Sequence, residues 1–275
     1  MMRIVLGVGS GRDTVPVVKQ IDLLYRFDEI ILVHGVKEES PQGYPFSREA
    51  ALQSGRQHIE ECRALLPADI RSIRTMCHVQ EPSSFVLDTA ATVNADIIVM
   101  GTRDLSRMTE VFIGSVSHRV LTHSTVSTLI MKGAARPVSK VLLAVEGPED
   151  AARLQAWLTA HPFKNPVSLM VLSVVSSNPV TSEHGMVQQD VVHNERTSKA
   201  RQIAAEIAKA LNGPQFTASS DVRGGDPAEI ICEVGKGYEL IVVSSHGRKG
   251  LSRFLMGSVS EEVVHRADRS VLVVR

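Results

Sequence analysis

Short apolar runs alternate with longer amphipathic stretches along the whole chain. Residues 4–8 and 239–243 are rich in aliphatic and β-branched side chains, and each run stops at small residues and glycine, as buried parallel strands do. Residues 14–25 and 198–211, by contrast, carry apolar side chains at helical spacing. The alternation predicts an α/β protein in which parallel sheets carry helices on both faces.

The predicted elements follow one another in a similar order twice. In the first half the strands are 4–8, 29–33, 73–79, 96–100 and 127–131, and the helices are 14–25, 47–66, 82–94 and one that begins after Gly114-Ser115. In the second half the strands are 141–145, 167–175, 239–243 and 271–274, the segment 176–195 is a polar loop, and helices cover 198–211 and the residues after Asp226 and Ser258. Asp226-Pro227 fits a helix cap and first turn, and Ser258 with Glu261 fits a capping box.

A repeat within the sequence explains this order. Residues 96–132 match residues 239–275 without a gap at an offset of 143, and Gly114-Ser115-Val116-Ser117 falls on Gly257-Ser258-Val259-Ser260. Arg136-Pro137 marks a linker between the two copies. The repeat predicts two βα domains of one type in tandem, residues 1–135 and 136–275.

Composition excludes several classes of function. Thirty basic and thirty acidic side chains cancel, and aromatic residues make up only 4% of the chain, so neither nucleic acid nor an anionic membrane is a predicted partner. No apolar run approaches the roughly 20 residues that span a bilayer, and residues 1–7 lack the layout of a signal peptide. Three cysteines without a CxxC pair favour a reducing cytoplasm and give no metal or disulfide framework.

The segment between the strand 239–243 and the helix after Ser258 is rich in glycine. Gly247, Gly250 and Gly257 lie between a strand end and a helix N-terminus, where unpaired backbone amides and the helix dipole can hold a phosphate. A flexible connection between strand and helix explains the same glycines. Both interpretations stay open on spacing alone.

The order of the short motifs resembles one family. The spacing G-x-x-G, nine residues, G-[S/T] is similar to the nucleotide-binding signature of universal stress proteins, and residues 140–275 resemble that family closely. The first half resembles it more weakly, so the whole chain looks like a tandem member. The resemblance implies two doubly wound, five-stranded parallel-sheet domains close to the adenine nucleotide α-hydrolase group. Members with the full signature bind ATP, with the phosphates on the glycine loop and the G-S helix start.

The resemblance assigns a nucleotide site to the second half. Ser244 stands where the first signature glycine belongs, and its side chain crowds the ligand or restricts the backbone if that position needs a positive φ. Glu146 replaces the aspartate that usually bonds ribose or adenine after the first strand. The implied cofactor is ATP, or AMP or ADP in its place, with Mg²⁺ as the ion that ATP brings. The residues assigned to it are Ala144, Val145, Glu146, Val174, Ser244, His246, Gly247, Arg248, Gly257, Ser258, Val259 and Ser260.

The first half departs further from the signature. Asp104 replaces the second glycine, where a carboxylate repels a polyanion. Gly9 replaces the acidic residue after the first strand, and Gln80 stands where the second half has Gly225. These three losses predict weak nucleotide binding, or none, in the first half.

Three hypotheses for function follow. The first is a cytoplasmic stress-response protein that senses or stores an adenine nucleotide in its second domain and regulates or scaffolds an unknown protein partner. The second is a nucleotide-independent dimeric scaffold with vestigial sites. The third is an enzyme, a slow ATPase or a phosphotransferase, although no nucleophile–base–orienter set is visible. Family members commonly dimerise through the last strand, here 127–131 and 270–274, so the resemblance implies a pseudo-dimer within the chain and a homodimer beyond it.

Overall fold

The computed structural model describes residues 2–9, 14–38, 47–102, 113–176, 186–245 and 256–275, with residues 186–193 described by their backbone alone. Contacts within the chain divide it into two compact units, the first extending to Pro137 and the second running from Val138 to Val274. Each unit contains five strands in the described ranges, and the strands within each unit pair in parallel.

The first unit places its earliest strand in the middle of its sheet. The strand order is β3-β2-β1-β4-β5. Its elements are β1 Arg3–Gly7, α1 Thr14–Leu24, β2 Glu29–Val36, α2 Arg48–Arg63, β3 Ser72–Val79, α3 Pro82–Thr92, β4 Ile97–Gly101, α4 Ser115–His123 and β5 Ser127–Met131. Ile97, Ile98 and Val99 are fully buried, because helices cover both faces of a parallel sheet.

The second unit has the same arrangement. The strand order is β8-β7-β6-β9-β10. Its elements are β6 Lys140–Val145, α5 Pro148–Ala160, β7 Val167–Val175, α6 Met186–Leu211, β8 Phe216–Gly224, α7 Pro227–Gly235, β9 Leu240–Ser244, α8 Ser258–Arg266 and β10 Ser270–Val274. The predicted doubly wound α/β fold is confirmed.

The direction of winding reverses between β6 and β9. From β6 the chain passes through α5 to β7 on one side, whereas from β9 it passes through α8 to β10 on the other. Because such crossovers are right-handed, the two helices leave neighbouring strand ends toward opposite faces of the sheet. The arrangement opens a crevice at the carboxyl ends of β6 and β9, the usual ligand site of a doubly wound sheet.

An acidic side chain fixes the start of each central strand. Asp96, just before β4, accepts a hydrogen bond from the backbone N–H of Arg3 at 2.6 Å. Glu239, just before β9, accepts one from the N–H of Lys140 at the same distance. These bonds join segments that lie 93 and 99 residues apart in the chain.

Two local predictions are wrong. The helix α6 begins at Met186, so residues 186–195 are helical and not part of a polar loop. Glutamine, glutamate and arginine are good helix formers, and a polar composition suits the exposed residues 194–196 as well as it suits a loop.

Among the helices that the structure describes, none combines the length and the hydropathy that a membrane crossing requires.

The predicted capping box at the start of α8 is the second error. The N-cap is Gly257, Ser258 is already helical, and no side chain caps the helix. The N–H of Gly257 donates to the carbonyl of Ser245 at 2.7 Å, which fixes the glycine at the cap position. The predicted cap of α7 is confirmed, because the Asp226 carboxylate accepts from the N–H of Glu229 at 2.9 Å.

Candidate functional site

The end of β9 lies against the start of α8. The N–H of Ser245 donates to the carbonyl of Val274 at 2.9 Å, and the carbonyl of Ser245 accepts from Gly257. A Cβ on Gly257 would stand 3.2 Å from that carbonyl oxygen, closer than ordinary packing allows. The φ of Gly257 is −69°, so glycine is favoured here by the close approach of two backbones and not by a left-handed conformation.

The first turn of α8 carries no capping side chain. Ser260 is buried, and its hydroxyl donates to the carbonyl of Gly257 at 2.8 Å. Ser258 and Val259 are exposed, and within the described ranges the Ser258 hydroxyl has no hydrogen-bond partner. The first N–H groups of an α-helix have no partner within the helix, so a helix without a side-chain cap can offer them to a ligand.

The end of β6 supplies apolar surface and a buried carboxylate. Ala144 and Val145 are buried, whereas the side chain of Glu146 is exposed. Asp150, in the first turn of α5, accepts a hydrogen bond from the N–H of Glu146 at 2.9 Å through Oδ2. Its Oδ1 is buried without a hydrogen-bond partner in the described part of the chain. Burial raises the pKa of Asp150, opposed by the Glu146 amide and by the nearby Ser244 hydroxyl.

Ser244 forms a side-chain contact that its position in the sequence does not suggest. Its hydroxyl accepts a hydrogen bond from Nη1 of Arg153, on α5, at 2.8 Å. Ser244 does not adopt a positive φ, since Asn94 is the one non-glycine residue with a positive φ among those described. The backbone at this position therefore tolerates a side chain.

The ends of β7 and β8 border the same edge of the sheet. Val174, near the end of β7, is half-buried. Gly225 follows β8 with a φ of +145°, a conformation open to few residues other than glycine, and its N–H donates to the carbonyl of Val175 at 3.1 Å. The predicted site residues His246, Gly247 and Arg248 lie outside the described residues, as does Asp104 of the first half.

Comparison with known proteins decides the family. A model of the universal stress protein family matches residues 1–132 and, a second time, residues 137–275. The chain belongs to the universal stress protein family. A universal stress protein from Synechocystis is 34% identical over 149 residues, which cover 50% of this chain and 97% of that protein. One from Mycolicibacterium smegmatis is 26% identical over 189 residues, 67% of this chain and 63% of the relative, so this chain spans less than two thirds of that relative's length.

Solved structures support the same fold. A universal stress protein from Archaeoglobus fulgidus aligns with a TM-score of 0.61 at 18% identity, over 99% of this chain and 96% of the other. A Pseudomonas aeruginosa protein described as a universal stress protein aligns with a TM-score of 0.66 at 16% identity, over 99% and 93%. At these identities the likeness establishes the fold alone.

In the first universal stress protein domain the equivalent crevice is lined differently. The N–H of Gly9, the counterpart of Glu146, donates to the hydroxyl of Thr14 at 3.1 Å. His34 holds the position in β2 that Ser173 holds in β7. It is buried, and its Nδ1 bonds the carbonyl of Val8 at 2.9 Å. Neutral groups thus satisfy each other at the end of β1.

The loop after β3 also closes onto the first domain. A Cβ on Gly35, the counterpart of Val174, would stand 2.7 Å from Cα of Pro82 and 2.9 Å from the carbonyl oxygen of Gln80. The N–H of Gln80 bonds the carbonyl of Val36 at 3.0 Å, as Gly225 bonds Val175 in the second domain. The loop therefore lies against the end of β2, in the space that a valine side chain occupies in the second domain.

Burial affects the ionisation of His34. It lowers the pKa of His34, and His58 nearby adds to this effect, while the bond to the Val8 carbonyl opposes it. The ring centroids of the two histidines are 6.2 Å apart. Gly55 of α2 is packed against His34, since a Cβ there would stand 2.5 Å from Cδ2 of its ring. The imidazole is a packed part of this domain.

Proposed function

We propose that the second universal stress protein domain binds an adenine nucleotide at the carboxyl ends of β6 and β9. The observation that carries the proposal is the start of α8, where Gly257 lies against Ser245 and no side chain caps the helix. The phosphates lie at this helix start, because its free N–H groups and dipole favour an anion. The exposed hydroxyl of Ser258 adds a donor at the same place.

The adenine and the ribose lie on the other side of the crevice. Ala144, Val145 and Val174 supply apolar surface at the ends of β6 and β7. Glu146 follows β6 with an exposed carboxylate that can accept hydrogen bonds from ribose hydroxyls. The proposed phosphate contacts are Ser244, Gly257, Ser258, Val259 and Ser260, together with His246, Gly247 and Arg248 of the glycine loop. The ligand is ATP, or ADP or AMP, and Mg²⁺ accompanies it when the phosphates need a counter-ion.

The proposal concerns occupancy and not turnover. A bound nucleotide shifts the conformational equilibrium of the second domain, and a partner protein or a second copy of the chain that prefers the bound form then binds more tightly. The protein acts in this way as a nucleotide-sensing regulator or scaffold of the stress response.

The nucleotide content of the purified protein tests the proposal. The full chain is purified without added nucleotide and denatured, and the supernatant is resolved by anion exchange. We expect about one adenine nucleotide per chain, because in the first domain Asp104 replaces a signature glycine and the loop after β3 packs against Gly35 at the end of β2. An empty supernatant, followed by no heat on titration with ATP, would overturn the proposal and favour the nucleotide-independent scaffold.

A further inference from the structure

Arg153 lies beside the proposed nucleotide site without belonging to the family signature. It projects from the second turn of α5, and its Nη1 donates to the hydroxyl of Ser244 at 2.8 Å. In the described ranges this is the hydrogen bond that Arg153 makes, although a guanidinium has five N–H donors. Arg153 is half-buried.

A buried carboxylate holds this arrangement in place. Asp150 and Arg153 are three residues apart on α5 and therefore share one face of the helix. Asp150 is 7% exposed, bonds the N–H of Glu146 through one oxygen, and leaves the other oxygen without a partner in the described residues. The Ser244 hydroxyl lies close enough to favour the ionised form of Asp150. The side chain of Ser244 is held from α5 by its hydrogen bond with Arg153.

The end of β9 connects this cluster to the start of α8. Ser244 bonds Arg153 through its side chain, and the next residue, Ser245, bonds Gly257 through its carbonyl. One strand end therefore places a guanidinium on the side of α5 and an uncapped helix N-terminus on the side of α8. Both groups attract anions, and Arg is the residue best suited to bind phosphate oxygens in pairs.

We propose that Arg153 binds a phosphate group of the nucleotide, and that Ser244 positions it for this contact. This inference rests on the proposed nucleotide site and extends it. Ser244, in the place of the first signature glycine, is then a functional replacement, because its hydroxyl holds the Arg153 guanidinium, which a glycine cannot do. Asp150 positions the Glu146 backbone, because its carboxylate accepts the hydrogen bond from the Glu146 N–H.

Titration calorimetry of the full chain with ATP and with adenosine tests this inference. Arg153→Gln removes a charge-assisted contact, so we expect ATP to bind about 10- to 100-fold more weakly, while adenosine binds as to the wild type. Arg153→Lys keeps the charge and loses the paired geometry, so its affinity lies between the two. Arg201→Gln removes an exposed charge on α6 and serves as the matched control, with wild-type affinity expected.

Ser244→Gly separates the two accounts of this position. If the serine crowds the ligand, restoring the family glycine strengthens ATP binding. If Ser244 holds Arg153, the same change releases the guanidinium and weakens ATP binding by about 3- to 10-fold, the loss of one modest hydrogen bond. Thermal unfolding of each variant checks that the fold is retained.

The outcomes are distinct. If Arg153→Gln binds ATP with the same affinity as the wild type, the role of Arg153 is overturned and the proposed function is unaffected. Stronger ATP binding by Ser244→Gly would overturn the positioning role of the serine. Equal losses for ATP and adenosine in Arg153→Gln would show a structural effect and not a phosphate contact. No nucleotide binding by the wild type would end both proposals.

Discussion

The two domains share one framework and differ in how they fill the crevice at its edge. In the first domain Thr14 and His34, both neutral groups, satisfy the backbone at the end of β1. In the second domain Asp150 and Arg153 occupy the region, and each keeps hydrogen-bonding capacity unused by the described residues. The difference shows that a few side chains at the strand ends change the charge and the hydrogen bonding of the crevice while the strands stay the same.

The two domains carry glycine at different positions of this region, one on the strand and the other in the loop. The first domain has Gly35 at the end of β2 and Gln80 in the facing loop, and the loop packs directly onto the strand. The second has Val174 on the strand and Gly225 in the loop, at a φ of +145°. Both arrangements keep the same backbone hydrogen bond, which is 3.0 Å long in the first domain and 3.1 Å in the second.

The largest expected effect on the difference between the two domains comes from replacing Gly257, the N-cap residue of α8. In Gly257→Glu the new Cβ meets the Ser245 carbonyl, and the carboxylate stands at the proposed phosphate position. We expect the affinity for ATP to fall by about 100-fold or more, since a like charge there opposes the phosphates at short range. Calorimetry measures the change. The matched variant Gly114→Glu alters the first domain and should leave binding intact. Loss of binding in Gly114→Glu would contradict the proposal that the second domain binds the nucleotide.

Gly225→Ala tests whether the loop of the second domain depends on its backbone conformation. Alanine at a φ of +145° is strained, and its Cβ would stand 2.9 Å from Cγ1 of Ile230. We expect the free energy of unfolding in urea to fall by about 1–3 kcal/mol. Gly213→Ala is the control, because a Cβ at Gly213 meets no atom within 4 Å. Equal stability of the two variants would contradict the role of Gly225.

Thr14→Val examines how each domain holds the amide after its first strand. The change removes the acceptor for the Gly9 N–H, and because Gly9 is exposed, water replaces part of the bond. We expect a loss of about 0.5–1 kcal/mol in the free energy of unfolding. Asp150→Asn keeps an acceptor for the Glu146 N–H, so a smaller change is expected in the second domain. A larger loss for Asp150→Asn would argue against this comparison.

The smallest expected effect is on the pH dependence of stability. The folded pKa of His34 is lowered by burial, so the folded state binds its proton less readily than the unfolded state does. This contribution to stability is complete at pH 7.5 and is lost as the pH falls through the unfolded value, about 6.5, toward the lower folded value. Urea unfolding of His34→Gln should show a flatter dependence from pH 7.5 to 5.5 than the wild type. His123→Gln, an exposed histidine on α4, should keep the wild-type slope.

Sequence patterns predict the framework well and the lining of the crevice poorly. The described strands other than β8, and the described helices other than α5, follow from the sequence patterns. The edge strand β8 is largely exposed and carries no apolar run. Gly257 follows from a motif whose spacing is fixed by the approach of a helix to a strand end. Arg153 has no such signal, because its partner Ser244 is 91 residues away and only the strand order brings them together. A polar composition does not distinguish a polar helix from a loop, so the sequence does not reveal that α6 begins at Met186.

The strand order also has a consequence during synthesis. On a ribosome that adds about 5–20 residues per second, the end of β6 emerges roughly 5–20 seconds before β9 arrives to pair with it. Until then β6 has one unpaired edge, and the amide of Lys140 lacks the carboxylate of Glu239. The crevice at the ends of β6 and β9 therefore forms late, after residues 240–244 have been synthesised and have paired with β6.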